Sequence, residues 1–334
     1  MRRLLAVTLL LALLVAGVSI DAQRALFTPL NLAEPATITV EPGLPFAQFA
    51  RRLADNGWMA PATRGALYLR AYARIHAIER KLQAGDYRVV PGMSAVQVLD
   101  MIVAGRSVLY ELRIIEGWTF RDALDAVRSH PQLRQTLADA DPAAVMRAIG
   151  RDHQHPEGRL FPDTYRFAGG TTDQAFLRRA ADTMDQVLAL EWDSRAEGLP
   201  YASPAEALVM ASIIEKETGA AEERPRIAGV FVRRLLLGMR LQTDPTVIYG
   251  LGSTFDGNLR RRDLETDTEY NTYTRAGLPP SPICLPGRAS IRAALHPAPG
   301  DELFFVSRGD GTHEFSATLD QHQAAVRRYQ LKGR

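Results

Sequence analysis

Glu215 and Glu217 stand one lysine apart in Ala-Ser-Ile-Ile-Glu-Lys-Glu-Thr-Gly, residues 211–219. Acids at this spacing are either solvated charges near a helix end, or one of them is aimed inward for proton transfer. Upstream, Ser203-Pro204-Ala205-Glu206 predicts a helix start, with Ser203 as cap, Pro204 in the first turn and Glu206 completing a capping box. Gly219 predicts the stop. At about 100° per residue, Met210, Ile213 and Ile214 form the main apolar face, and Glu217 falls on the same stripe. Glu215 lies on the side shared with Leu208 and Ala211, the less apolar one, and reads as a solvated charge. A carboxyl drawn toward a core has its pKa raised. A glutamic acid still protonated near neutral pH is what general acid catalysis needs. The alternative for Glu217 is that it bends out to water from the last turn, or pairs with Arg224 or Arg226.

The elements that must position this helix are spread over 334 residues, enough for two or three domains. With 46% hydrophobic and 23% charged residues the chain reads as globular, and a formal charge of +2 gives no reason to expect a nucleic-acid partner. Cys284, the single cysteine, excludes a disulfide scaffold. Leu4 to Ile20 carry no charge and follow Arg2 and Arg3. The run fits a membrane anchor or a signal peptide. Cleavage sites around Ala16–Val18 and Ile20–Ala22 fit poorly, so an uncleaved anchor over residues 1–22 is expected, with Arg2 and Arg3 cytoplasmic and the rest outside. After a connector of about Asp21 to Pro35, a strand, a turn and an amphipathic helix recur: once ending at Gly57, again at Gly105, and more loosely through Glu116-Gly117. Gln48 and Gln97 hold the same offset from their Pro-Gly turns. Such units are commonplace, and their similarity is either coincidental or the mark of a small α+β module over residues 36–110, resembling LysM, that binds extracellular polysaccharide.

Residues 111–330 predict a mixed α+β region. A second helix runs from near Pro225 to Gly238, then a stretch rich in Pro, Gly, Tyr, Asn and Asp from Arg240 to Gly300, expected to be loop, and last a strand, a Gly-Asp-Gly turn, a strand and a helix. Long loops of this kind are usually functional. Gln242, Asp244, Tyr270, Asn271 and Tyr273 offer amide, carboxylate and aromatic groups suited to sugar hydroxyls and N-acetyl groups, each also readable as a turn or packing residue. Glu157 and Asp163 in Pro-Glu-Gly-Arg-Leu-Phe-Pro-Asp-Thr-Tyr read as braces of the fold. His153 with His155, and His313 with His322, lack a completing ligand set, so no metal and no cofactor is expected.

Met-Ala-Ser-Ile-Ile-Glu-Lys-Glu-Thr-Gly from Met210, the stretch from Ile227 to Gly252, and the segments 263–297 and 303–322 resemble, in order, the endolytic murein transglycosylases of the MltG/YceG-like family. The likeness runs from about Phe161 to Tyr329. One departure is Ser281, where the family's Gly-Leu-Pro-Pro motif continues with glycine. The resemblance implies a membrane-anchored periplasmic enzyme that cleaves the β-1,4 bond between N-acetylmuramic acid and N-acetylglucosamine within glycan strands, leaving 1,6-anhydro ends. It implies Glu217 as the catalytic residue and association with peptidoglycan synthases (penicillin-binding proteins). No second acid is tied to Glu217 by spacing. A lytic transglycosylase needs none, because the sugar's C6 hydroxyl is the nucleophile. A hydrolase of the same bond and a non-catalytic glycan-binding scaffold are the competing readings.

Overall fold

The computed structural model describes residues 2–59 and 62–330. In chain order its elements are α1 (Arg2–Phe27), β1 (Ala36–Val40), α2 (Phe46–Asp55), α3 (Ala62–Ile75), β2 (Gly85–Val89), α4 (Ala95–Val103), β3 (Leu109–Arg113), α5 (Phe120–Ser129), α6 (Pro142–Ala148), β4 (Thr164–Ala168), α7 (Asp173–Asp193), α8 (Pro204–Glu217), α9 (Arg224–Leu236), α10 (Asp244–Leu251), α11 (Arg261–Glu265), α12 (Arg288–Leu295), β5 (Phe304–Ser307), β6 (His313–Ser316) and α13 (Leu319–Tyr329). The strands pair as three two-stranded sheets, β1–β2, β3–β4 and β5–β6. This is the mixed α+β content expected. The chain divides into two compact units: residues 1–111 with 131–134 and 166–172, and residues 112–130, 135–165 and 173–334.

In the first unit, β1 and β2 run antiparallel with Ile38 opposite Tyr87. Phe49, Leu53, Leu69, Tyr87, Val98, Leu99 and Ile102 bury completely between this sheet and α2, α3 and α4. The offset shared by Gln48 and Gln97 is the third helical position. Gln97 closes a capping box with Ser94, whereas α2 has Pro45 at its cap and no side-chain bond there. Arg3 to Phe27 is the one helix, among the described residues, long and apolar enough to cross a membrane, with mean hydropathy 2.4. Leu4, Leu10 and Leu14 are exposed, while Ala25 and Leu26 are buried. The helix thus runs beyond the expected end at residue 22 into the connector. The cause is tertiary: Leu26 is buried in the core of the first unit, and Phe27 packs edge-on to Tyr72 of α3 at 6.1 Å.

In the second unit, α8 is the central element. Ala207, Leu208, Met210, Ala211, Ile213 and Ile214 are all fully buried, packed with residues of α7, α9 and α12. A helix buried on every side has no polar face, and this overturns the reading of Glu215. Its side chain is only 6% exposed, pairs with Arg224 Nη2 at 3.6 Å and accepts the Gly287 N–H at 2.9 Å. The expected loop from Arg240 to Gly300 holds three short helices, α10, α11 and α12. Isolated helices this short are marginal in water, so α10 and α12 form because packing holds them. α12 buries Ile291, Ala294 and Leu295, and α10 buries Val247. The closing strand–turn–strand–helix appears as β5, β6 and α13, with Gly309 and Gly311 at φ 85° and 88° in the turn.

Candidate functional site

The C-terminal end of α8 opens into a cleft of about 450 Å³, lined by Glu217, Arg234, Gln242, Asp244, Tyr273, His313 and His322 among others. Ser203 starts α8 by accepting the Glu206 N–H, with Pro204 in the first turn, and Thr218 ends it in extended conformation. The last helical residue is therefore Glu217, on the stripe of Ile213 and Ile214.

Thr243 holds the Glu217 carboxyl. It occupies the cap position of α10, yet its hydroxyl does not cap the helix. It donates instead to Oε1 of Glu217. Thr243 is itself fixed: its N–H donates to Thr272 Oγ1 at 3.1 Å, and Thr246 and Thr272 share a hydrogen bond of 2.9 Å. Burial pushes the Glu217 carboxyl up to about 7, opposed by the hydrogen bond from the Thr243 hydroxyl and reinforced by the negative charge of Asp244. The side chain keeps some contact with the cleft. It does not pair with an arginine: Arg224 faces Glu215, and Arg226 bonds Glu302 at 3.0 Å. Replacing Thr243 by valine removes a bond that favours the carboxylate. The carboxyl pKa of Glu217 then rises, and the alkaline limb of any reaction it drives as an acid moves to higher pH. A pH–rate profile of Thr243→Val checks this; a limb that stays or moves down contradicts it.

Of the residues singled out in sequence, Gln242, Asp244 and Tyr273 come together beside Glu217. Tyr273 donates to Asp244 Oδ1 at 2.5 Å. Gln242 is exposed and sits at φ 54°, a left-handed conformation uncommon for a residue with a side chain. Its N–H bonds the Thr272 carbonyl at 3.2 Å. Tyr270 and Asn271 lie elsewhere. Asn271 is fully buried, and its amide donates to the carbonyls of Asp263, Leu264 and Thr266, bracing the loop after α11. Tyr270 packs edge-on to Tyr249 and hydrogen-bonds Ser281 at 2.7 Å. Ser281 itself is buried and its backbone φ is not positive, so glycine is not required there.

Sequence reasoning missed Thr243, Arg234 and the pairing of His313 with Glu223. Arg234 lies in the cleft wall, donating to the Leu303 and Leu241 carbonyls at 2.6 and 2.7 Å and facing the Phe304 ring. No local pattern marks these residues, since their partners are distant in the chain. Among the described residues no group of His, Cys, Asp or Glu could hold a metal ion.

Glu157 is another buried acid. It accepts the Phe120 N–H at 2.8 Å and the Tyr249 hydroxyl at 3.1 Å, beside a separate cavity of about 790 Å³. Burial lifts its carboxyl to about 7. A carboxyl raised from its ordinary value of 4.5 binds its proton more tightly in the folded state. Stability therefore falls as pH rises from about 4.5 to about 7, by up to about 3 kcal/mol. The expected result is a melting temperature that drops between pH 5 and pH 8, with part of that drop absent in Glu157→Gln.

The chain matches the model of the YceG-like family over residues 38–328. It is similar to the endolytic murein transglycosylase of Bacillus subtilis, 31% identical over 264 residues, covering 74% of this chain and 73% of the relative. The protein of the same name from Streptococcus pneumoniae is 27% identical over 89% of this chain, which spans 59% of that longer relative. A crystal structure of a yceG-like protein from Listeria monocytogenes superposes with a TM-score of 0.55 at 31% identity, covering 88% of this chain and 99% of the other. With a family match along most of its length, and the Glu217 helix and its cleft inside the matched region, the chain belongs to the YceG-like family.

Proposed function

We propose that this protein is a peptidoglycan lytic transglycosylase that cuts within glycan strands. The observation that carries the reading is Glu217: one carboxyl, raised to about 7, held by Thr243 in a cleft of a chain whose relatives are named endolytic murein transglycosylases. Its first task is to protonate the glycosidic oxygen between N-acetylmuramic acid and N-acetylglucosamine. The resulting carboxylate then takes the proton from the C6 hydroxyl as that oxygen attacks C1, closing a 1,6-anhydro ring. A pKa near working pH lets one residue serve in both directions. Ordinary glycosidases divide these tasks between two carboxylates. Asp244 is in the same cleft but is engaged by Tyr273. Gln242, Asp244 and Tyr273 are assigned to binding the sugars, and Tyr270 and Asn271 to holding the loop that carries Tyr273.

The apolar part of α1 fits a single-pass anchor in the inner membrane, with the two folded units in the periplasm. The first unit is assigned to glycan binding as a LysM-like module. Action on strands as they are made, limiting their length, and association with penicillin-binding proteins complete the proposal. The test uses the full chain in detergent on intact peptidoglycan, with product masses read beside those of Glu217→Gln. Anhydro-muramyl ends from the wild type and none from the variant support the reading. Reducing ends, heavier by one water, replace it with a hydrolase. Glycan binding without cleavage by either replaces it with a scaffold.

A further inference from the structure

A histidine held by a carboxylate borders the cleft of Glu217. Glu223 ends the short turn Ala221–Glu223 that leads into α9, and both of its oxygens engage His313. Oε1 accepts the His313 N–H at 2.9 Å, and Oε2 lies 2.7 Å from Nδ1. The two side chains are only 11% and 12% exposed. A carboxylate gripped at both oxygens cannot swing away, and it can only accept. Nδ1 must therefore carry the hydrogen, which in the neutral ring leaves the lone pair on Nε2. The ring plane is set by Phe305, edge-on at 5.3 Å, and by Phe315 at 6.4 Å. Nδ1 is the ring atom with a partner in the protein, and His313 lines the cleft beside Glu217.

We propose that Glu223 fixes the tautomer of His313 so that Nε2 stands in the cleft as an acceptor for a hydroxyl or acetamido hydrogen of the sugar bound beside Glu217. The inference rests on the glycan-cleaving reading above. It makes His313 a substrate-contacting residue and Glu223 a positioning residue. The two working groups then need opposite states, Glu217 with its proton and His313 Nε2 without one. That is the arrangement by which one cleft separates a donor from an acceptor. The other titratable or charged groups facing it are Arg234 on α9, Asp244 at the start of α10, Tyr273 after it and His322 on α13. Of these, Asp244 is engaged by Tyr273, and Arg234 is spent on backbone carbonyls.

The first measurement is ¹⁵N NMR of the imidazole nitrogens in the full-length protein in detergent micelles. The expected spectrum has His313 protonated at Nδ1 and bare at Nε2, with the Nε2 resonance moving when uncrosslinked glycan fragments are added. An Nε2–H tautomer, or an Nε2 resonance indifferent to glycan, overturns the proposal. This readout needs no turnover, so it stands apart from the failure of the lyase reading, which would appear as a wild type inert toward glycan. The second measurement is steady-state cleavage by His313→Ala and Glu223→Gln. His313→Ala should lose about 100-fold in kcat/KM. Glu223→Gln should lose kcat with KM retained, because an amide can face Nδ1 with either a donor or an acceptor and no longer fixes the tautomer. Wild-type kcat and KM in both variants overturn the proposal. So does a loss that only follows lowered melting temperature.

Discussion

Glu217→Gln is expected to lower the turnover of glycan cleavage by at least about 10³-fold, while the protein stays folded. On the reaction proposed above the same carboxyl gives a proton and then takes one. An amide can do neither, so both steps lose their catalyst together. A 10³-fold loss corresponds to about 4 kcal/mol of barrier. Thr243 can still donate to the amide oxygen, so the local geometry survives. Stability should move the other way. The folded-state pKa of about 7 lies above the ordinary value of 4.5, so the native state binds the extra proton between these values. Ionisation above about 7 costs the folded state up to about 3 kcal/mol, and glutamine removes that cost. The variant should thus melt at or above the wild-type temperature at pH 8, with the gap closing toward pH 5. Single-turnover cleavage beside thermal melts checks both halves. A variant that cleaves within tenfold of wild type removes Glu217 from the chemistry.

The largest expected loss of stability is at Glu215. Its carboxylate sits in the core of the second unit between the Arg224 guanidinium and the Gly287 N–H. Glu215→Ala leaves a guanidinium that is only 12% exposed without its counter-charge, and leaves the Gly287 donor without its acceptor. Removing one partner of a buried pair costs about 3–5 kcal/mol. The double change Glu215→Met with Arg224→Met takes away both charges and fills the space with apolar atoms, so it should cost distinctly less than the single change. Urea unfolding of the two variants beside wild type reads this directly. Equal losses in the single and double variants would mean that packing, not charge, fixes these positions.

The contrast between Glu217 and Glu215 shows where sequence stops being readable. The cap at Ser203, the proline after it and the spacing to Ile213 and Ile214 are local facts, and they fixed α8 and the side on which Glu217 lies. Whether the opposite side of α8 meets water is not local. It depends on α12 and on the 281–287 segment, which lies against Ser212 and Glu215 through the N–H groups of Ile283 and Gly287. The same limit applies to α10 and α12, where turn-forming residues announced loops and packing made helices. Gln242, Asp244 and Tyr273 could be named because they fall in one polar stretch. Thr243 lies in that stretch too, but its role depends on pointing away from its own helix. Glu223 and His313 are ninety residues apart, and only the folded chain brings them together.

The burial of α8 on all sides also bears on how the chain reaches this state. Its main apolar partner, α12, lies some eighty residues later, and β5 and β6, which complete the cleft, come later still. Contacts this distant in sequence form slowly, because long loops must close before they are rewarded. During synthesis the face of α8 that packs on α12 emerges with no cover until α12 has followed it. Over that interval it is the part of the second unit most exposed to aggregation and the one most in need of a chaperone.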